Sequence, residues 1–304
     1  MTAVAEAVAK RQAATRSRRR PASPQRLLLY AVLTIAAVLW LTPILWALYT
    51  SLRPYSDTAA HGYVSIAHTL TLQNFTDAWS NAGMLQYFVN SVVITVPSVL
   101  LALFFASAVA FVISRFSLGF NIALLVLFTA GNLLPQQVII TPLFRMYLSI
   151  HVPGFLSSSG TLFNSYLGLI VINTVFQMGF CVFVLSNYMK AIPHSLTEAA
   201  LIDGASVWTQ YWRITLPLSR PALAALATLL TTWIYNDFFW AIVLVQRGDK
   251  RPITSALANL QGVYFTNNNL LAAGALITAV PTLVVYALLQ RQMIAGLTLG
   301  ANKG

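Results

Sequence analysis

Charged and reactive side chains are what this chain has least of. Only 8% of its 304 residues are charged, seven of them acidic, against roughly 25% charged in soluble domains. Four histidines and one cysteine complete a sparse supply of ligands and nucleophiles. Enzyme chemistry needs convergent acids, bases or metal ligands, so the expectation is no catalytic residue and no metal. His194 and Glu198 do stand four apart, but a catalytic zinc takes three protein ligands, and charge counting puts His61, His68 and His151 across the membrane from them. Cys181 has no partner cysteine for an internal disulfide and reads as a small packing residue. No G-x-x-x-x-G-K-[ST] phosphate loop occurs, so the chain does not bind ATP by that means.

Long apolar runs are what the chain has in excess. Hydrophobic residues make up 58% of it, too much for a soluble fold of this size to bury. Runs recur at about 27–49, 85–113, 120–143, 165–188, 221–245 and 271–290. Each reaches the roughly 20 residues that cross a bilayer as a helix. They are continuously apolar, which excludes the alternating pattern of a membrane barrel. The fold class expected is all-α, a polytopic membrane protein with six transmembrane helices.

The formal charge of +11 reads as topology, not as affinity for nucleic acid. With a cytoplasmic amino terminus, Arg53, Arg145, Arg247, Lys250 and Arg251 fall in outer loops and the other basic residues fall inside. That asymmetry obeys the positive-inside rule and puts both termini in the cytoplasm. The first apolar run exceeds the h-region of a cleaved signal and no small-residue cleavage site follows it, so it reads as a retained anchor. Residues 1–26 read as a basic, disordered tail with lipid headgroups nearby, 27–293 as the transmembrane domain and 294–304 as a cytoplasmic tail.

Within the runs, Ala102, Ala106 and Ala110 fall four apart, a spacing that lets helix backbones approach closely. Pro97, Pro135, Pro142 and Pro281 are expected to interrupt helices.

Residues 189–220 form a polar island between two apolar runs. Pro193 is placed to open a helix, Ser195 and Glu198 have capping-box spacing, and Gly204 suits the left-handed turn that ends a helix. Leu196, Ala199, Ala200 and Asp203 then share a face. Trp208, Tyr211 and Trp212 follow in a second short helical stretch. On physics alone this is either an ordinary capped helix or a small-residue face for another protein's groove.

The run Glu198-Ala199-Ala200, three residues, Gly204, nine residues and Ile214-Thr215-Leu216-Pro217 resembles the signature loop of binding-protein-dependent ABC importer permeases. The segments Asn236-Asp237-Phe238-Phe239-Trp240 and Gln290-Arg291-Gln292, with the tail from Gly296 to Gly304, resemble the carbohydrate branch that includes the smaller permease of maltose-type systems. The resemblance covers about residues 27–304. It implies the type I importer permease fold in a bacterial or archaeal inner membrane, a second homologous permease, two ATP-binding subunits and an extracytoplasmic binding protein. ATP and magnesium would sit on the partner subunits, with no cofactor on this chain. By the same resemblance Glu198, Ala199, Ala200, Asp203, Gly204 and Ala205 couple the chain to the ATPase.

Polar groups at membrane depth are costly and line cavities or pair with each other. The candidates are Gln136 and Gln137 in the third run, Asn173 and Gln177 in the fourth, and Asn236 and Asp237 in the fifth. Amides and a carboxylate suit hydroxyl recognition, and Trp233, Tyr235 or Trp240 suit an apolar sugar face. Asp237 is the single acid well inside an apolar run, too few for ion-coupled transport or a channel to be the preferred reading. The outer loop with Tyr264, Phe265, Asn267 and Asn268 corresponds, in the resemblance, to one that reaches into the binding protein.

Overall fold

Apolar runs in lipid must satisfy every backbone polar group internally, which here selects helices. The computed structural model describes residues 24–133, 135–260 and 266–298. The basic run Arg16 to Arg20 and residues 299–304 lie outside the described residues, as do Tyr264 and Phe265.

The chain divides into two units, one ending at Tyr49 and one beginning at Thr50. The first holds helix α1 (Pro24–Ser51) save its last two residues. In the second, α2 (Tyr55–His61) and α3 (Gln73–Asn81) lead into the long α4 (Met84–Arg115). Next come α5 (Asn121–Leu133), a 3-10 turn at Gln136–Ile139 and α6 (Ile140–Ser149). Then follow α7 (Tyr166–Lys190), α8 (His194–Ile202), α9 (Arg220–Tyr235), α10 (Phe239–Leu244), α11 (Ile253–Ala256) and α12 (Asn268–Thr298). The protein is all-α and polytopic. Among the described residues four helices, α1, α4, α7 and α12, are long and apolar enough to span a bilayer, and two bent pairs raise the number to as many as six.

The bent pairs depart from the expected runs. The third run is broken at Pro135, whose fixed φ and missing N–H end α5 and start the 3-10 turn. Pro97 and Pro281 interrupt nothing: α4 and α12 continue through them. Pro142 sits in the first turn of α6, where its missing donor costs little. The fifth run is not one helix either. It stops at Tyr235 and restarts at Phe239, and its bent partner is the stretch Val207–Leu218, at 70° to α9.

The core of the second unit lies where α4 packs along α7. Ala102, Ala106 and Ala110 are wholly buried in a cluster with Cys181, Val182, Leu185 and Met189. The small-residue stripe therefore does permit close approach. Gly179 serves α5 in the same way, since a Cβ there would run into Phe128 O and Asn132 Nδ2. Three hydroxyls inside the spans turn back onto their own helices: Ser98, Thr228 and Thr278 each donate to the carbonyl four residues earlier. That satisfies them where no water is available.

The loop after α1 is organised by a buried arginine that charge counting treats as a solvated loop charge. Arg53 donates through Nε and Nη2 to Asp57 Oδ2 at 2.9 and 2.8 Å, and through Nη1 to the carbonyls of Gly62, Tyr63 and Ser65. The Arg53 guanidinium holds the Asp57 carboxyl below its usual range, against the opposing pull of burial. Asparagines clamp the rest of this end. Asn74 Nδ2 donates to the Ser51 and Arg53 carbonyls, and Asn269 Nδ2 to Thr50 O and Thr58 Oγ1.

Candidate translocation cavity and coupling loop

The break between α9 and α10 builds the cavity. Asn236 ends α9 and donates to Thr232 O at 2.8 Å and to Thr282 Oγ1 on α12 at 3.3 Å. Asp237 Oδ1 accepts the Trp240 N–H at 3.3 Å, so the carboxylate helps start α10. The chain thus turns at membrane depth with its freed groups satisfied by side chains, the arrangement tolerated where backbone lines a cavity.

Around this break is a cavity of about 390 Å³ lined by Gln136, Asn173, Gln177, Thr232, Trp233, Asn236, Asp237 and Trp240. Five of the six polar candidates are brought together there from α7, the α9–α10 break and the 3-10 turn. Gln137 is not among them. It neighbours Gln136 in the 3-10 turn, is exposed and does not line the cavity. Of the aromatic candidates, Trp233 and Trp240 line it, braced by Phe180 and Phe176 with ring centroids 5.3 and 5.6 Å away. Tyr235 is buried elsewhere and does not line it. Thr232 was missed in the sequence, although it precedes Asn236 by one helical turn and shares its face. Amide, hydroxyl and carboxylate groups opposite indole faces can hold a polyhydroxylated solute.

At the polar island, α8 starts at His194 with Pro193 as its N-cap and no side-chain cap. The capping box does not form. Proline's fixed φ lets the helix begin two residues earlier than a cap at Ser195 would, so Ser195 falls inside the first turn and not at its cap. The other end follows expectation. Gly204 has φ +78°, its N–H bonds to Leu201 O at 3.0 Å, and the Ala205 N–H bonds to Ala200 O at 2.8 Å. These are the two bonds of a Schellman motif. Glu198, Ala199, Asp203 and Gly204 are exposed, Ala205 is half-buried and Ala200 is buried. Leu201 and Ile202 also project outward, Ile202 being 87% exposed.

Two contacts tie this loop to the spans. The Tyr211 hydroxyl meets Ser107 Oγ at 2.8 Å, and Arg115 Nη1 donates to Ile192 O at 3.2 Å. Tyr211 lies in a π-helical stretch, Gln210–Thr215, among Trp208, Trp212 and Phe111. Ser206 caps the turn that precedes it by accepting the Thr209 N–H.

In the loop before α12, Asn267 caps that helix, its Oδ1 accepting the N–H groups of Asn269 and Leu270. Asn268 donates to the Tyr63 hydroxyl.

Residues 82–292 match the family model described as the binding-protein-dependent transport system inner membrane component. The chain belongs to this family. It is accordingly a membrane permease subunit of an ABC-type importer that works with extracytoplasmic binding proteins, and it is not an enzyme. Related permeases include the osmoprotective compounds uptake permease protein GgtD of Synechocystis, 31% identical over 90% of this chain and 90% of that protein. Another is the probable starch degradation products transport system permease protein AmyC of Thermoanaerobacterium thermosulfurigenes, 31% identical over 92% of this chain and 97% of that one. Among solved structures, a chain of a bacterial ABC transporter that imports the acidic polysaccharide alginate superposes with a TM-score of 0.73 at 20% identity. That superposition covers 91% of this permease and 99% of the other chain, and it speaks to the fold alone.

Proposed function

We propose that this permease passes a carbohydrate or related polyol through the cavity at the α9–α10 break. The observation that carries the reading is the composition of that cavity, where amides, a carboxylate and a hydroxyl face two indoles within about 390 Å³. The volume is in the usual range for small-molecule sites. The relative named for starch degradation products supports the carbohydrate class. A second reading, a small osmoprotective solute, rests on the Synechocystis relative.

The coupling proposal follows from the island. Glu198, Ala199, Ala200, Asp203, Gly204 and Ala205 form the plug that a cytoplasmic ATP-binding subunit receives, with both chain termini on that side. A second homologous permease, two ATP-binding subunits and an extracytoplasmic binding protein complete the assembly. ATP and magnesium reside on the ATP-binding subunits. Closure of those subunits pushes α8, and the Tyr211 and Arg115 contacts pass the displacement to α4. The spans then switch between two packed arrangements. On the outer side, Tyr264, Phe265, Asn267 and Asn268 touch the binding protein and assist release.

The test is ATP hydrolysis by the reconstituted complex with its binding protein, screened against oligosaccharides, polyols and small osmolytes. Stimulation by a carbohydrate, reduced several-fold in Gln177→Ala, is the expected result. Stimulation by osmolytes alone would overturn the carbohydrate assignment. Glu198→Lys should insert normally yet lose uptake, and wild-type uptake would reject the plug. Tyr264→Ala with Phe265→Ala should slow uptake without loss of assembly.

A further inference from the structure

His61 at the end of α2 and His68 in the loop that follows converge on one carboxylate. While Asp57 Oδ2 is occupied by Arg53, Asp57 Oδ1 lies 3.2 Å from His61 Nδ1 and 3.4 Å from His68 Nδ1. The two imidazoles stack, with centroids 4.0 Å apart and planes 27° from parallel. All three potential ligand atoms fall within 4.8 Å of one another. Ligand atoms about 2.0–2.1 Å from a tetrahedral zinc stand about 3.3–3.4 Å apart. Both observed N···O separations are close to that value.

We propose that Asp57, His61 and His68 form a binding site for a divalent transition-metal ion, with zinc the best fit. Two imidazoles and a carboxylate oxygen suit Zn²⁺ and its neighbours, whereas calcium and magnesium require a shell of oxygens. The site is held from behind. Arg53 grips the far oxygen of Asp57 and the carbonyls of Gly62, Tyr63 and Ser65, all between the two histidines in sequence. A ligating carboxylate fixed in this way by an outer hydrogen bond is the usual support of a metal site. The histidine side chains are 44% and 62% exposed, which leaves an open side for a fourth ligand such as water. His61 Nδ1 is also 3.2 Å from Asp57 O, and a bound metal would displace whatever proton sits on that nitrogen. Bound metal would staple the end of α2 to the strand of loop before α3. This inference is independent of the solute proposed above.

The test uses the full chain in detergent, purified without a histidine tag and stripped with chelator. Cobalt(II) is titrated in and followed by its visible absorption, then displaced with Zn²⁺. One equivalent of tetrahedral-type cobalt absorption, bleached by zinc, is expected. The double variant His61→Ala/His68→Ala should weaken binding by at least about tenfold, while His151→Ala and His194→Ala leave it unchanged. If the double variant does not elute as a monodisperse species, His68→Gln is read in the same titration. Equal binding in wild type and in these variants, or no cobalt absorption in wild type, overturns the proposal.

Discussion

The Tyr211 hydroxyl donates to Ser107 Oγ across 2.8 Å, joining the loop of Glu198 to the 32-residue span α4. The direction follows from counting protons. Ser107 has one, and it goes to Phe104 O at 2.9 Å, so Tyr211 supplies the other. Both side chains are buried, in a unit where α4 carries the core.

Removing that proton donor tests the linkage. Tyr211→Phe keeps the ring contacts with Trp208, Trp212 and Phe111 and leaves Ser107 bonded to Phe104. The cost in stability should be only about 1 kcal/mol. The ratio of solute moved to ATP hydrolysed should fall in proteoliposomes, and a ratio equal to wild type rejects a transmitting role.

At Gly204 the backbone and not the space decides. Its φ is +78° and a Cβ would meet nothing within 4 Å, so the penalty for a side chain is purely conformational. Asparagine tolerates the left-handed region and a β-branched residue does not. Uptake and expression should therefore rank wild type, Gly204→Asn, Gly204→Val. Equal loss in both variants indicates that surface contact, not the turn, is what glycine protects.

The cavity residues should separate into two groups. Trp240 is 2% exposed and packs on Phe176 and Phe239, so Trp240→Ala should cost about 3–5 kcal/mol and lower the yield of folded protein. Gln177 is half-buried with its side chain on the cavity, so Gln177→Ala should leave thermal unfolding within about 0.5 kcal/mol of wild type. Its effect should appear in the solute concentration needed for half-maximal uptake. A stability loss equal to that of Trp240→Ala marks Gln177 as packing.

The cavity was legible in the sequence because lipid makes polar residues expensive. Asn173, Gln177, Asn236 and Asp237 stand out against apolar neighbours wherever they point. Gln137 stands out equally, and only the 3-10 geometry beside Pro135 separates it from Gln136. The turn at Gly204 was legible for a different reason: a left-handed residue is a local requirement with a local signature. The missing capping box was a two-residue matter of where Pro193 starts the helix, the scale on which patterns are weakest. Arg53 was not legible at all. Its partners are carbonyls, which every residue has, and its place in a buried network depends on Asn74 and on Asn269, over 200 residues away. A tally of loop charges sees only a cation.

Asn269 gives the sharpest test of that hidden network. It is wholly buried, and its Nδ2 makes both bonds, to Thr50 O at 3.0 Å and Thr58 Oγ1 at 2.9 Å. Its Oδ1 has no hydrogen-bond partner. The amide orientation is fixed by Thr50 O, which can only accept. Asn269→Ala removes both bonds, about 0.5–1.5 kcal/mol each, while Thr50 O keeps the Arg53 N–H at 3.2 Å. Asn269→Asp keeps the shape but aims a second acceptor at the carbonyl and buries a carboxylate without a cation. Near neutral pH the isosteric change should therefore destabilise more than the truncation, read as the melting temperature in detergent. The reverse order would show that Asn269 contributes bulk, and that Arg53 and Asn74 hold the loop without it.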